Sequence, residues 1–216
     1  VCLVEVVGAR GLVASCVYPV NEGMEIITNS QKAVEARRAS VELILSNHQK
    51  NCLQCPKQGK CELLEVANIV GARDQKFMGE QTPATVDELA PGLMRNTAKC
   101  ILCGRCIERC KEAHGISILG FENRGFKAIV APAQNRSFAE SPCLQCGQCV
   151  NVCPTGALYE NEEIAKVDAA FKAGKKVIVQ TAPAVRAAIA EEFGEPIGTT
   201  GTGKMVAALR RLGFYR

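Results

Sequence analysis

Apolar and polar residues alternate in short stretches at the start of the chain, and this pattern is typical of strands. Three segments rich in β-branched residues predict three short strands, at Val1–Val7, Leu12–Val20 and Met24–Thr28. Gly8–Gly11 lies between the first two and indicates a turn. Residues 1–29 are therefore expected to form a small β-rich segment.

Helical spacing of apolar residues begins next. Asn29 or Ser30 can cap a helix, because a short polar side chain accepts from the free N–H groups of the first turn. The apolar positions that follow predict a helix to about Ser46. A second helix is predicted over Glu62–Val70 and ends at Gly71, a residue type that readily adopts the left-handed conformation.

The middle of the chain contains a loop and a hairpin. Gly79–Pro91 is polar and interrupted by proline, which predicts a surface loop. Two strand-like runs, Ile116–Phe121 and Lys127–Val130, lie on either side of the turn sequence at residues 123–125. They predict a hairpin between two similar stretches of chain.

The last 56 residues, 161–216, alternate between helical and strand patterns. Glu162–Ala173 predicts an amphipathic helix, Lys176–Gln180 a strand, and Ala184–Phe193 a helix opened by Pro183, at a position where proline is tolerated. This order is that of an α/β unit. The whole chain is predicted to be an α+β protein of several small domains.

Composition adds one observation to this picture, the large number of cysteines. The chain has 216 residues, thirteen cysteines, 5% aromatic residues and no tryptophan, so its apolar core is thin and bound metal cofactors are expected to add to its stability. We find no signal peptide and no apolar run long enough to span a membrane. Metal-bound thiolates fit a reducing compartment, which indicates the cytoplasm. The net charge is only +4, and the sequence has no basic stripe with aromatic residues interleaved in it. Both observations argue against a nucleic-acid partner.

The candidate chemistry lies mainly in two cysteine runs that repeat at a spacing of 43 residues. Each has the pattern C-x2-C-x2-C-x3-C, the spacing that binds 4Fe–4S clusters in bacterial ferredoxins, in which the fourth cysteine serves the other cluster. Structural zinc sites or a disulfide knot are disfavoured, because zinc ligands usually come as pairs set well apart. We predict two crossed ligand sets, which are Cys100, Cys103, Cys106 and Cys153 for one cluster, and Cys143, Cys146, Cys149 and Cys110 for the other.

A third 4Fe–4S site is predicted around His48. Cys52, Cys55 and Cys61 leave a cubane one ligand short, and His48 lies four positions before the first of them. The alternatives are a zinc site with three cysteines and one histidine, or a cubane with an open iron and an unpaired His48. A neutral imidazole in place of a thiolate should raise the reduction potential. His114, the other histidine, is expected to be structural or exposed.

Cys2 and Cys16 form a weaker pattern. Their separation of fourteen positions suggests the last two ligands of a plant-type 2Fe–2S site whose earlier ligands would precede residue 1. The alternative is that they are two ordinary cysteines in strands, since free cysteine is often buried.

A glycine-rich segment near the C-terminus partly matches the sequence pattern of a phosphate-binding loop. Gly198–Lys204 spells G-x4-G-K, but Met205 stands where serine or threonine would hold magnesium, and Glu191–Pro196 is not a buried strand. A helix that begins near Thr202 explains the glycines better.

The order of these modules resembles the N-terminal half of large iron-only (FeFe) hydrogenases, of the NAD(P)-linked, multi-subunit kind. Gln180–Gly194 and Thr202–Arg210 resemble the opening of the hydrogenase catalytic domain. The resemblance implies a partial β-grasp 2Fe–2S domain, a helical 4Fe–4S domain with one histidine and three cysteine ligands, a ferredoxin-like domain with two cubanes, and the beginning of an α/β catalytic domain. The corresponding residues are 1–29, 30–95, 96–160 and 161–216. On this interpretation we expect the sequence to be a fragment truncated at both ends.

The resemblance also implies a function, the relay of electrons between a ferredoxin or a flavin- and NAD(P)-binding subunit and the catalytic H-cluster. It implies three 4Fe–4S clusters, and one 2Fe–2S cluster if the earlier ligands are present. In that family the H-cluster cysteines lie further on, and no cysteine follows Cys153, so these residues alone should not be catalytic. An electron-transfer subunit of an NADH or formate dehydrogenase is the alternative, because the first three modules also occur there in part. A module with purely structural zinc is a further one.

Overall fold

The structure is a computed structural model that describes residues 1–72 and 76–215. The chain divides into two compact units, residues 1–161 and residues 162–216. The first unit contains every cysteine and both histidines.

The chain begins with three antiparallel strands in the order β2-β1-β3. They are β1 (Leu3–Val6), β2 (Val13–Ala14) and β3 (Ile26–Ile27). The three predicted strands are confirmed, although β2 and β3 are only two residues long. Val4 and Val6 are buried, as the alternation along β1 predicts.

Two helices follow, α1 (Gln31–Ser46) and α2 (Glu62–Val70). Ser30 caps α1, since its side chain accepts from the Ala33 N–H at 3.3 Å. Gly71 ends α2 with a φ of 67°, the conformation expected of a glycine at this position. The helices pack together through a small buried cluster that consists of Val41, Ala67 and Ala72.

The next elements form a ferredoxin-like arrangement. In chain order they are β4 (Val86–Asp87), β5 (Leu93–Asn96), α3 (Arg105–His114), β6 (Leu119–Glu122), β7 (Ile129–Pro132), α4 (Gln148–Asn151) and β8 (Leu158–Glu160). The strand before the first cysteine run, β5, pairs with β4 on one side and with β8, the strand after the second run, on the other. The predicted hairpin is confirmed as β6–β7, with Phe121 opposite Val130.

The predicted loop Gly79–Pro91 is wrong in one detail, because it contains β4. Val86 pairs with Asn96 and Asp87 with Arg95. The prolines at 83 and 91 lie outside this two-residue strand, so they do not interrupt its hydrogen bonds to β5.

The core of the ferredoxin-like part is built around sulfur. Leu93 and Phe138 are almost completely buried, and Cys106, Cys149 and Cys153 belong to the same buried cluster. The candidate ligands are therefore part of the packing that holds these strands and helices together.

Residues 162–215 contain three helices, α5 (Ile164–Lys172), α6 (Val185–Glu192) and α7 (Thr202–Leu212), and all three were predicted. The predicted strand Lys176–Gln180 is wrong. A strand needs a neighbouring strand to complete its hydrogen bonds, and the structure describes no strand in residues 162–215. Within Lys176–Gln180, the Val177 carbonyl accepts from the Tyr215 N–H at 2.8 Å.

The glycine-rich segment precedes α7 as expected. Gly201 is the residue before the helix, and Lys204 forms an ion pair with Glu195. Among the residues described, no helix combines the length and the apolar character needed to cross a bilayer.

Candidate metal centres

The structure brings the first predicted ligand set around one cavity. Its lining includes all four cysteines of this set, which we call the first site: Cys100, Cys103, Cys106 and Cys153. Cys106 lies on α3, while Cys153 comes from the other run, just after α4.

A second cavity is surrounded by the other predicted set. We call this the second site: Cys110, Cys143, Cys146 and Cys149. Cys110 lies one turn beyond Cys106 on α3, so the helix that carries one ligand of the first site extends to the second. The two runs thus exchange their last cysteines, as the spacing predicts.

The backbone around the two sites repeats. Gly104 and Gly147 both have φ of 74°, and each opens the helix that follows. In each run, a residue with positive φ donates its N–H to a sulfur: Leu102 to Cys100 and Gln145 to Cys143, both at 3.4 Å. Donors of this kind adjust the potential of an iron–sulfur cluster.

Burial makes these thiols hard to ionise without a cation. Burial, followed by the charges of neighbouring cysteines, raises the pKa of Cys106 to about 12 and that of Cys149 to about 12. Burial also raises the pKa of Cys100 and of Cys143. Thiolates that repel one another in this way are stabilised by coordinated iron, which deprotonates a thiol outright.

The sulfurs of each site surround a space and do not meet at a point. Within residues 1–72 and 76–215, no three His, Cys, Asp or Glu side chains lie close enough together to hold a single metal ion. Cysteines placed around a cavity fit a cluster of several irons, which fills the space between its ligands.

The third predicted site, which we call the histidine site, lies in the connection between α1 and α2 and at its ends. It comprises His48, Cys52, Cys55 and Cys61. Nδ1 of His48 is buried and has no hydrogen-bond partner. Burial, and then the charges of Lys99 and Lys50, lower the His48 pKa to about 4. At neutral pH the imidazole is therefore uncharged with a free nitrogen, the form that binds metal.

The histidine site is joined to the first site by short contacts. The N–H of Glu62, next to Cys61, donates to the carbonyl of Pro154, next to Cys153, at 3.1 Å. A Cβ on Gly156 would lie only 2.5 Å from Sγ of Cys55, so no side chain fits there without movement. Glycine at position 156 lets the two parts approach closely.

Two buried cations near these sites were missed by the sequence analysis. Lys99 is 3% exposed, and its ammonium group donates to Oδ1 of Asn51. Arg95 is 5% exposed and lines the first cavity. The sequence signal was present but weak, since both are charged residues within a short segment that leads into a cysteine run.

Cys2 and Cys16 are also brought together, with their sulfur atoms 3.1 Å apart and exposed. The shared hydrogen bond lowers the pKa of Cys2 and raises that of Cys16. Pairing of β1 with β2 places them side by side, in the register in which Leu3 faces Ala14. His114 is exposed, as expected.

Comparison with protein families gives three matches along the chain. The NADH-ubiquinone oxidoreductase-G iron-sulfur binding region matches residues 37–76, and a 4Fe-4S dicluster domain matches residues 96–157. The C-terminal domain of the iron only hydrogenase large subunit matches residues 175–216. The prediction that the chain binds 4Fe–4S clusters is confirmed at this level.

Curated relatives extend over the whole chain. The NADP-reducing hydrogenase subunit HndD of Solidesulfovibrio fructosivorans is 48% identical over 215 residues, which is 99% of this chain and 37% of that protein. Iron hydrogenase 1 of Clostridium pasteurianum is 37% identical over 216 residues, 99% of this chain and 38% of that protein. The chain thus spans less than two fifths of the length of these relatives.

Two further similarities cover less of the chain. The G 2 subunit of NADH-quinone oxidoreductase from Rhizobium meliloti (strain 1021) is 33% identical over 159 residues, 73% of this chain and 18% of that protein. Among solved structures, an NAD+-reducing [NiFe]-hydrogenase in the H2-reduced state is similar with a TM-score of 0.67 and 25% identity, over 74% of this chain and 68% of that chain.

Proposed function

Because this chain is homologous to iron-only hydrogenases over 99% of its length, we propose that it is their iron–sulfur relay, which passes electrons between an external donor and the catalytic H-cluster domain. The observation that carries the proposal is the crossed arrangement of eight cysteines around two neighbouring cavities. A bound cubane takes up and releases one electron at a time.

We assign the ligands as the sequence predicts. The first site, the second site and the histidine site each hold one 4Fe–4S cluster. Cys2 and Cys16 are the ligands that this chain contributes to a 2Fe–2S cluster. The neutral, unpartnered Nδ1 of His48 supports ligation at the histidine site, and the adjacent sulfurs of Cys2 and Cys16 are compatible with a shared metal.

The chain's own residues provide three conditions for a relay. They bury Cys106, Cys149 and Cys153, which keeps water away from that side of the first and second sites. They donate backbone N–H groups to Cys100, Cys143 and Cys110, the last from Ile118 at 3.4 Å. They also keep the histidine site and the first site close together through the Glu62–Pro154 bond. Short gaps between sites and tuned potentials are what electron hopping requires.

The modules that we propose are residues 1–29, 30–95, 96–160 and 161–216, in the order 2Fe–2S, histidine-containing 4Fe–4S, two-cubane and the beginning of a catalytic domain. The donor is a ferredoxin or a flavin- and NAD(P)-binding subunit, since one relative is named as an NADP-reducing hydrogenase subunit. We place the protein in the cytoplasm, where reducing conditions keep thirteen cysteines available for metal.

An electron-transfer subunit of an NADH or formate dehydrogenase is the second candidate. It is favoured by the similarity to a protein of NADH-quinone oxidoreductase, which covers 73% of this chain. The hydrogenase assignment is preferred because residues 175–216 match the iron-only hydrogenase domain.

The test uses the full-length parent protein, purified anaerobically. We expect it to evolve hydrogen from its physiological donor and from reduced methyl viologen. Substitution of Cys153 by alanine should abolish the reaction with the physiological donor and reduce the reaction with the small dye far less, since the dye can reach the catalytic domain directly. A parent that oxidises NAD(P)H but never forms hydrogen with either donor would support the dehydrogenase candidate.

A further inference from the structure

The two cavities of the ferredoxin-like part differ in charge although their cysteines repeat. Leu93 and Arg95 are two positions apart on β5, so both side chains lie on one side of the strand. Leu93 lines the second cavity and Arg95 lines the first. One strand therefore supplies an apolar side chain to one site and a cation to the other.

Arg95 is held firmly by neutral partners. Its Nη1 donates to the Val130 carbonyl and its Nη2 to Oδ1 of Asn135, both at 3.0 Å. Its Nε is buried and has no hydrogen-bond partner. Asp87 pairs with Arg95 across the two strands, but its carboxylate accepts from the Ser137 hydroxyl at 2.6 Å and from the Phe138 N–H at 2.9 Å. The guanidinium thus keeps an unpartnered Nε and a charge that Asp87 offsets only in part.

The charge of Arg95 is felt by the first site. Burial is the main influence on Cys100 and raises its pKa, whereas the charge of Arg95 opposes this shift. The interaction is mutual, since Cys100 acts to raise the pKa of Arg95 against the larger effect of burial. Arg95 therefore lies close enough to act on charge in the first cavity.

The cysteine runs add to the asymmetry. Arg105 of the first run corresponds to Gln148 of the second, 43 positions later. Arg105 is half exposed and paired with Glu62 at 2.7 Å, so water and the carboxylate screen its charge. The second cavity is lined by the exposed His114 and by Gln148, whose Oε1 accepts from Nε and Nη2 of Arg109, a half-buried cation that does not itself line the cavity. The buried Arg95 is the larger difference between the two sites.

We propose that Arg95 makes the cluster of the first site the more easily reduced of the two cubanes in the ferredoxin-like part. This rests on the proposed function, because it requires that both clusters assemble. Reduction adds one negative charge to a cluster that is already anionic, so a fixed cation beside it favours the reduced form. An electron that enters this part settles on the first site, next to the histidine site.

The test begins by assigning the redox signals in the reconstituted full chain, at pH 8. Cys103 and Cys146 occupy equivalent positions in the two runs, and both are exposed. Cys103→Ser should alter only the signal of the first site, and Cys146→Ser only that of the second, while His48→Cys identifies the third cubane. We expect the signal altered by Cys103→Ser to have the higher potential of the two.

Arg95→Gln then removes the charge and retains a polar side chain of similar length. We expect the reduction potential of the first site to fall. The equilibrium constant for its reduction should decrease by at least about tenfold, which corresponds to about 59 mV for one electron. The second site should change by less than about threefold. Arg124→Gln, at an exposed position of the same part of the chain, should leave both signals unchanged.

Each outcome decides the question. A first site that has the lower potential of the two, or an iron-loaded Arg95→Gln chain whose two signals stay in place or move together, overturns the proposal. If Arg95→Gln does not retain its iron, the matched serine variants of the chain with Arg95 intact decide alone. A wild-type chain that assembles no cubanes contradicts the proposed function, a different and recognisable result.

Discussion

His48 illustrates how burial selects one chemical form of a side chain. Its surroundings bury Nδ1, and two lysines lie near enough to oppose a positive charge, so the neutral imidazole is favoured. An uncharged nitrogen with no protein partner is poised to bind iron. On the proposed assignment, this is how one histidine completes a set of three cysteines.

Replacing His48 by cysteine should keep the third cubane and lower its potential. A thiolate adds one negative charge where the imidazole adds none, which disfavours reduction. We expect a fall of roughly 100 mV or more, judged from the difference between centres with histidine ligands and those with cysteine alone. A redox titration followed by electron paramagnetic resonance measures this shift, and an unchanged potential would count against ligation by His48.

The pH dependence of the same site follows from the low pKa. Because burial disfavours imidazolium, the proton competes with iron only near pH 4, well below the value of about 6.5 for an ordinary histidine. The third cubane should therefore persist when the pH falls from 7.5 to 5.5, as judged from iron content and the visible spectrum. Cluster loss with a midpoint near pH 6.5 in the wild-type chain, but not in His48→Cys, would refute this.

At the scale of elements, α3 and the segment after α4 tie the two halves of the ferredoxin-like part together. Each delivers one cysteine to the cavity formed mainly by the other run. Binding of metal therefore also fixes the packing of the two halves, because ligands from both runs must converge.

Removing Cys153 should accordingly cost one cluster and loosen the surrounding fold. We expect Cys153→Ala to lose about four iron atoms per chain from the first site and to melt at a lower temperature, since the core loses its central cofactor. Iron analysis and thermal unfolding check both effects. Cys110→Ala is the matched variant and should empty the second site. An unchanged iron content in Cys153→Ala would reject the crossed assignment.

A substitution at Gly156 tests the contact between the histidine site and the first site. A methyl group at this position would collide with Sγ of Cys55. Gly156→Ala should therefore destabilise the fold by about 1–3 kcal/mol, the usual cost of overpacking, and should perturb the third cubane before the other two. Chemical denaturation and electron paramagnetic resonance measure these effects.

Gly120 provides the control for this substitution. It lies in β6, has no positive φ, and a Cβ there would meet nothing within 4 Å. Gly120→Ala should be nearly neutral. Equal effects of the two substitutions would show that the close approach at Gly156 has no special role.

The sequence predicted those elements whose signals are local. Ser30 and Gly71 mark helix ends through their own backbone chemistry, and the spacing of cysteines predicted which of them would gather in each cavity. It did not predict β4, whose two residues are defined by pairing with β5, and it wrongly predicted a strand at Lys176–Gln180. Strands depend on distant partners, which a pattern within one segment does not reveal.

The roles of Arg95 and Gly156 could not be predicted for the same reason. Arg95 acts on a cavity formed by residues from both cysteine runs, and Gly156 matters because Cys55 lies against it. Both effects arise from contacts between segments that are far apart in sequence. Local spacing identifies ligands well, whereas the residues that tune and position them depend on the assembled fold.

At the scale of the whole molecule, the first unit places three candidate clusters in succession, and the charges around them differ. The histidine site has a buried imidazole nitrogen without a hydrogen-bond partner, the first site has a buried arginine, and the second site has an apolar neighbour. Sites of similar type with different surroundings provide a gradient of potentials. On the proposed assignment, such a gradient would give direction to electron flow through the chain.

If this chain binds three four-iron clusters, an iron count combined with a reductive titration will show it. After anaerobic reconstitution and removal of unbound metal, we expect about twelve iron atoms per chain and a brown chromophore that bleaches on reduction, with three separate one-electron steps. A colourless chain that retains zinc, or one with about eight iron atoms and no signal that responds to His48→Cys, would contradict the account.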